Sequence, residues 1–142
     1  MNKIIEGNIV DAQTDYIIHQ VNCQGEMNTG VAKALRDYDE GIYIHYRNVC
    51  KLREFNPELL LGTYDEYFIR RKNQEILSLF AQDKYGYDGK QYTDVKAFGE
   101  GLNFTPAIWY YYNRDDKNTF IFGTYYTLGG RYDLTPSMWV EP

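Results

Sequence analysis

The chain has 142 residues, with 15 Lys and Arg against 20 Asp and Glu and a formal net charge of −5. That length suits a single domain over 1–142, and 25% charged with 44% hydrophobic residues excludes a disordered chain. The acidic balance disfavours non-specific nucleic acid or an anionic membrane as partner, but leaves room for a small anion held by backbone amides.

The sequence offers no apolar run long enough for a transmembrane helix. Met1 to Glu6 reaches an acid too early for a secretion signal, so a cytoplasmic protein is expected. Cys23 and Cys50 then read as two reduced, part-buried thiols. With only His19 and His45 besides, nothing has metal-ligand spacing, and neither a metal nor a cofactor is expected.

In chain order, Lys3-Ile4-Ile5 reads as a short strand closed by Glu6-Gly7-Asn8. A second strand covers Asp15 to Asn22. Its run from Tyr16 to Ile18 is apolar at consecutive positions, the pattern of a strand buried on both faces of an α/β sheet. The polar loop from Cys23 to Gly30 carries two glycines and opens onto Val31, Leu35 and Tyr38, whose spacing is helical. Asn28 or Thr29 is a suitable N-cap. Ile42, Tyr46 and Val49 predict a second helix within 41–54, ended by Asn56-Pro57.

Two strands follow, Thr63 to Arg70 and Glu75 to Gln82, joined by the polar turn Arg71-Lys72-Asn73-Gln74. Thr93 can cap a further helix to Leu102, although Gly99 and Gly101 each cost about 1 kcal/mol there. From Phe104 onward the chain is rich in aromatics. Trp109–Tyr112 and Phe120–Phe122 flank a polar turn and predict an aromatic hairpin.

The unit with chemical content is the strand, glycine loop and helix from Tyr16 to Leu35. Such a loop aims free N–H groups and the positive end of a helix dipole at one point, where phosphate is a natural occupant. Gly25 and Gly30 would let a ligand approach the backbone. Taken alone the pattern is common, and a purely structural loop explains it equally well.

The order of residues narrows this. Gly7-Asn8-Ile9-Val10, then Ile17-Ile18-His19-Gln20-Val21-Asn22-Cys23-Gln24-Gly25, then Gly30-Val31-Ala32-Lys33 resembles the macro domain family. The likeness is to its small phage and bacterial members and to the ADP-ribose 1″-phosphate phosphatase branch. Leu79 to Tyr87 is also similar, so the resemblance covers roughly residues 1–98.

It implies a three-layer α/β/α domain with a mixed sheet and an irregular, aromatic-rich β C-terminal part. It further implies binding of ADP-ribose or a derivative, with hydrolysis of a terminal phosphate or an ADP-ribosyl linkage as the reaction. By that resemblance Asn8 and Ile9 lie along the adenine and Asn22 meets the distal ribose. The Gly25–Ala32 loop, including Met27, Gly30 and Val31, wraps the distal ribose and diphosphate. His19 and Lys84 become catalytic candidates.

The family's second glycine-rich loop is matched only by Leu128-Gly129-Gly130, with Asp133 beyond it, and too few residues follow for a closing helix. The alternative function is therefore a non-catalytic, phage-type anti-defence protein that sequesters an ADP-ribose-type signal or binds a host protein.

Each candidate also has a plainer reading. His19 can be a histidine hydrogen-bonded to backbone at a sheet edge rather than a proton carrier, and Lys84 a solvated surface lysine. Tyr110–Tyr112, Tyr125 and Tyr126 suit packing as well as adenine stacking. Cys23 has no activating neighbour besides His19, which argues against a nucleophile.

Overall fold

The computed structural model describes residues 2–5, 7–86, 92–104, 120–123, 125–128, 131–134 and 137–140, the N- and C-terminal strands by backbone alone. Strand β1 is Asn2–Ile5 and β2 is Tyr16–Asn22; helices α1 (Gly30–Tyr38), α2 (Glu40–Leu52) and α3 (Pro57–Leu60) follow. Next come β3 (Tyr64–Ile69), β4 (Gln74–Gln82) and α4 (Val95–Phe104). The strands β5 (Phe120–Gly123), β6 (Tyr125–Leu128), β7 (Arg131–Leu134) and β8 (Ser137–Val140) complete the chain.

Six of these strands form one mixed sheet in the order β1-β8-β5-β2-β4-β3, and β6 and β7 pair with each other. The centre is parallel: β2 runs beside β4 through Ile17↔Ile76 and Val21↔Phe80, and beside β5 through Ile17↔Ile121. The outer pairs are antiparallel. Because side chains alternate along a strand, Ile17, Val21, Ile76 and Phe80 bury one face against Val31 and Leu35 of α1 and Ile42 and Tyr46 of α2. Ile18, Leu77 and Leu79 bury the other against Phe98 and Leu102 of α4. The consecutive apolar residues of β2 thus serve two cores, and the domain has three layers.

The connections place the site. The chain leaves β2 through helices on one face and returns as β4, then crosses the other face through α4 before β5. The carboxyl ends of β2, β4 and β5 therefore point one way at a switch of sides, where open α/β sheets bind ligands.

Several local expectations are corrected. Pro57 does not simply end a helix: Asn56 accepts from the Glu58 amide and Pro57 opens α3, its missing N–H costing nothing at a first helical position. The cap of α4 is Asp94, whose carboxylate accepts from the Ala97 amide at 3.0 Å, while Thr93 donates to Gln20 Oε1 at 2.8 Å. The helix continues to Phe104 through both glycines. A Cβ at Gly101 would lie 3.2 Å from the Thr63 carbonyl, so that glycine permits close packing of α4, whereas one at Gly99 would meet nothing within 4 Å.

The aromatic hairpin is also corrected. Phe120–Phe122 pairs with β2 on one edge and β8 on the other, which leaves no edge for Trp109–Tyr112. Parallel pairing beside the buried strand β2 wins over the local turn signal, since sheet propensity follows tertiary packing. Trp109–Tyr112 itself lies outside the described residues.

Candidate functional site

Asn22, the last residue of β2, organises the loop that follows. Its side-chain oxygen accepts from the Gln24 amide at 3.0 Å, the Glu26 amide at 3.2 Å and the Tyr46 hydroxyl at 2.9 Å. Its Nδ2 donates to the Glu26 carbonyl at 2.9 Å. The Tyr46 hydroxyl also reaches the Asn22 carbonyl at 2.7 Å, so a buried tyrosine of α2 anchors both ends of this residue. Burial drives the Tyr46 phenol well above its ordinary pKa and keeps it a neutral donor.

Gly25 comes next, with φ +78°, a left-handed conformation open to glycine. Its carbonyl accepts from Arg47 Nη1 at 2.9 Å, and Arg47 lies over the Phe55 ring with 5.5 Å to the centroid. Phe55 is itself left-handed, with φ 53°, directly after Glu54 at φ 56°. Two such non-glycine residues in sequence cost about 1–2 kcal/mol each. The turn is closed by the Phe55 amide donating to the Cys50 carbonyl at 2.8 Å, and it holds the ring against the back of the loop.

The loop then enters α1. Thr29 stands at the N-cap, yet its side chain makes no capping bond. Asn28 does not cap either: its Nδ2 donates to Glu26 Oε2 at 2.7 Å and its oxygen accepts from Arg36 at 3.2 Å. Neither of these residues thus supplies the side-chain acceptor that usually meets the first-turn amides of α1.

A small cavity, open to solvent, lies at this end of the sheet. Gln20, Val21 and Asn22 of β2 and Gln82 of β4 form its floor, and Tyr85 stands on one side. Glu26, Asn28, Thr29 and Ala32 form the loop side. The β4 end is tied to the loop by the Cys23 amide donating to the Gln82 carbonyl at 2.9 Å, and by the Tyr85 amide donating to Gln24 Oε1 at 3.0 Å. The lining is mostly amide and hydroxyl, with Glu26 as its ionisable carboxylate.

Of the residues singled out from sequence, Asn22 and Ala32 line the cavity, while Gly25 and Gly30 belong to the adjoining loop and the start of α1 without being among its lining residues. Met27 and Val31 belong to the same segment, but their side chains point into the core at 1% and 5% exposure. Asn8 is exposed and caps the 3-10 turn Ile9–Asp11, accepting from the Val10 amide at 3.2 Å. Ile9 is buried in the core, and neither borders the cavity. Lys84 is exposed and outside the lining, although its neighbour Tyr85 is part of it. Gly129 and Gly130 lie outside the described residues. The flanking β6 and β7 pair up to Leu128↔Arg131, and β7 runs beside α1.

His19 is placed elsewhere. It lies on the helix-covered face of β2 at 1% exposure, with Nε2 2.8 Å from Ser78 Oγ and Nδ1 without a partner. Desolvation lowers its pKa from 6.5 to about 3, so the ring is neutral at physiological pH. This is not the backbone-bonded, sheet-edge position of the plainer reading, since β2 lies inside the sheet and the partner is the Ser78 side chain, and His19 is not among the residues lining the cavity. Cys23 and Cys50 are buried free thiols. Burial, with the Asp83 carboxylate adding to it, pushes Cys23 up to about 12, and burial raises Cys50 to about 11. Neither is an activated nucleophile. Among the described residues no group of three or more His, Cys, Asp or Glu is placed to hold a metal ion, and no helix is long and apolar enough to cross a membrane.

Sequence reasoning missed Gln20 and Gln82, which lie within the segments carrying the resemblance but were given no role there. It also missed Tyr46 and Arg47, which reach the loop from α2 across more than twenty residues. Only the pairing of β2 with β4 and the packing of α2 on the sheet reveal them.

No family profile matches the sequence, and no curated protein matches it. The fold does have solved counterparts. The macrodomain of Mycobacterium tuberculosis DarG superposes with a TM-score of 0.57 at 18% identity, over 69% of this chain and 60% of that one. This chain has a macrodomain fold. The macrodomain of Thermus aquaticus DarG gives 0.56 at 19% identity, over 70% and 62% of the two chains. Thermosipho africanus DarTG in complex with ADP-ribose gives 0.55 at 18%, over 76% of this chain and 28% of that one. The macrodomain match thus spans about three-fifths of the DarG structures. At such identities the likeness speaks for the architecture, and the chemistry has to come from the residues.

Proposed function

We propose that this macrodomain-fold chain binds ADP-ribose, or a derivative that keeps its distal ribose and diphosphate, in the cavity between Asn22 and α1. The observation that carries the reading is the uncapped first turn of α1, opening beside a loop that Asn22, Tyr46 and Arg47 hold in place. Free helix-start amides and the helix dipole favour a diphosphate. The amide and hydroxyl lining suits the hydroxyls of a ribose, and the Tyr85 ring adds an apolar wall. The ADP-ribose complex of a similarly folded protein supports the same ligand class.

Binding rather than turnover is the reading preferred, because the histidine expected to move a proton is buried and neutral in the core. Hydrolysis at this site would have to draw its proton transfer from Glu26 or from residues outside those described. Calorimetric titration with ADP-ribose, AMP and ATP tests the proposal. ADP-ribose should bind the most tightly of the three, since AMP lacks the distal ribose and ATP replaces it with a charged phosphate. Equal affinity for all three, or none for any, would refute it.

A further inference from the structure

We infer that Glu26 sets the charge specificity of the cavity, admitting a ligand end that offers hydroxyl groups and rejecting one that ends in a phosphate monoester. The inference rests on the ADP-ribose reading and narrows it to the class with an unphosphorylated or glycosidically linked distal ribose.

The cavity's floor and walls carry neutral donors and acceptors, and no lysine or arginine is among the described lining residues. Among the described residues the anion-favouring feature of the lining is the α1 start, beside Thr29 and Ala32. One helix terminus can meet a diphosphate, but a second phosphate at the far end of the ribose would find no cation among the described lining residues, the nearby Arg36 being engaged with Asn28.

It would instead meet the Glu26 carboxylate. That side chain is about one-third exposed and is held toward the cavity by Asn28, whose Nδ2 donates to its Oε2 at 2.7 Å. Its other oxygen lies 3.8 Å from Arg47 Nη1. Arg47 is not among the lining residues: its guanidinium bonds the Gly25 carbonyl and rests on Phe55. Its charge is shared between that carbonyl and the Glu26 carboxylate, and of the two charged side chains only Glu26 borders the cavity.

A carboxylate accepts from sugar hydroxyls and cannot donate to a phosphate oxygen. Like charges juxtaposed in a partly desolvated site are what reject a wrong ligand. A ribose with free hydroxyls, or one joined through carbon 1 to another uncharged group, gives Glu26 partners; a 1″-phosphate gives it repulsion.

The test compares ADP-ribose with ADP-ribose 1″-phosphate by calorimetry on the full chain, for the parent protein and for Glu26→Gln. The parent should bind ADP-ribose at least tenfold more tightly than the 1″-phosphate, and raising salt from 50 to about 500 mM should shrink that ratio by screening. In Glu26→Gln the ratio should fall at least fivefold through tighter binding of the phosphate. Equal parent affinities, or a ratio unchanged by the substitution, would overturn the inference while leaving the ADP-ribose reading standing. Absence of binding by either ligand to the parent would overturn both. Thermal unfolding of the variant controls for folding, and the parent's own ratio decides the matter if the variant is unstable.

Discussion

Replacing two glycines by alanine should have opposite consequences, and the contrast tests the account of the ligand loop. At Gly25 the backbone is left-handed, at φ +78°, a conformation that costs an L-residue about 1–2 kcal/mol. The new Cβ would stand 2.8 Å from both Arg47 Nη1 and Phe55 Cε1, far inside ordinary contact distance. The guanidinium can swing away, but only by giving up its 2.9 Å bond to the Gly25 carbonyl, worth about 1.5–3 kcal/mol for a charged donor. The ring is held by the turn at Glu54 and Phe55. Gly25→Ala should therefore destabilise by about 2–4 kcal/mol, allowing for relaxation.

At Gly99 the residue is helical and a Cβ meets nothing within 4 Å. Gly99→Ala should stabilise by about 0.5–1 kcal/mol, the usual gain in helix propensity. Urea unfolding followed by intrinsic fluorescence measures both, with equal m-values licensing the comparison. In a heat scan the first variant should melt lower by roughly 2–4 °C for each kcal/mol lost. Should Gly25→Ala unfold within 0.5 kcal/mol of the parent, the packing of Arg47 and Phe55 behind the loop is not what holds it.

Other expectations follow from the same geometry. Asn22→Ala removes the acceptor of two loop amides and of the Tyr46 hydroxyl; it should cost about 1–3 kcal/mol of stability and weaken ADP-ribose binding with it, and calorimetry showing parent-like affinity would separate the loop from the ligand. His19 has its folded pKa lowered from 6.5 to about 3, so its contribution is fully present above pH 6.5 and is lost as pH falls toward 3, because the unfolded chain takes up the proton first. That loss is on the order of 4–5 kcal/mol; parent and His19→Leu unfolding curves between pH 7 and 4 should converge as pH drops, and parallel curves would deny the histidine its buried, neutral state. The thiols of Cys23 and Cys50, buried and raised to about 12 and 11, should resist a disulfide reagent at pH 8 in the native protein and react on unfolding; fast native reaction at Cys23 would reopen its candidacy as a nucleophile.

What the sequence determined by itself was local and periodic. The consecutive apolar residues Tyr16–Ile18 announced a strand buried on both faces, and Val31, Leu35 and Tyr38 announced the helix after the loop. Gly25 and Gly30 marked the two left-handed backbone positions there. Such signals survive because hydrophobic period and glycine conformation are properties of a few adjacent residues. The segment carrying the family resemblance therefore coincides with the loop side of the cavity.

The tertiary structure decided the rest. Nothing near His19 says that α1 and α2 cover its face of β2, so neither its burial nor its Ser78 partner was legible until the layers were assembled. Asn22 read as a ligand contact and is in addition the hub of its own loop, because Tyr46 arrives from α2. Phe120–Phe122 looked like half of a local hairpin and instead became the strand beside β2, since burial in a parallel centre outweighs a nearby turn. Cap choice at Asp94, the floor residues Gln20 and Gln82, and the exposure of Glu26 to the cavity all depend on which segments meet in space, and long-range pairing leaves no local trace in sequence.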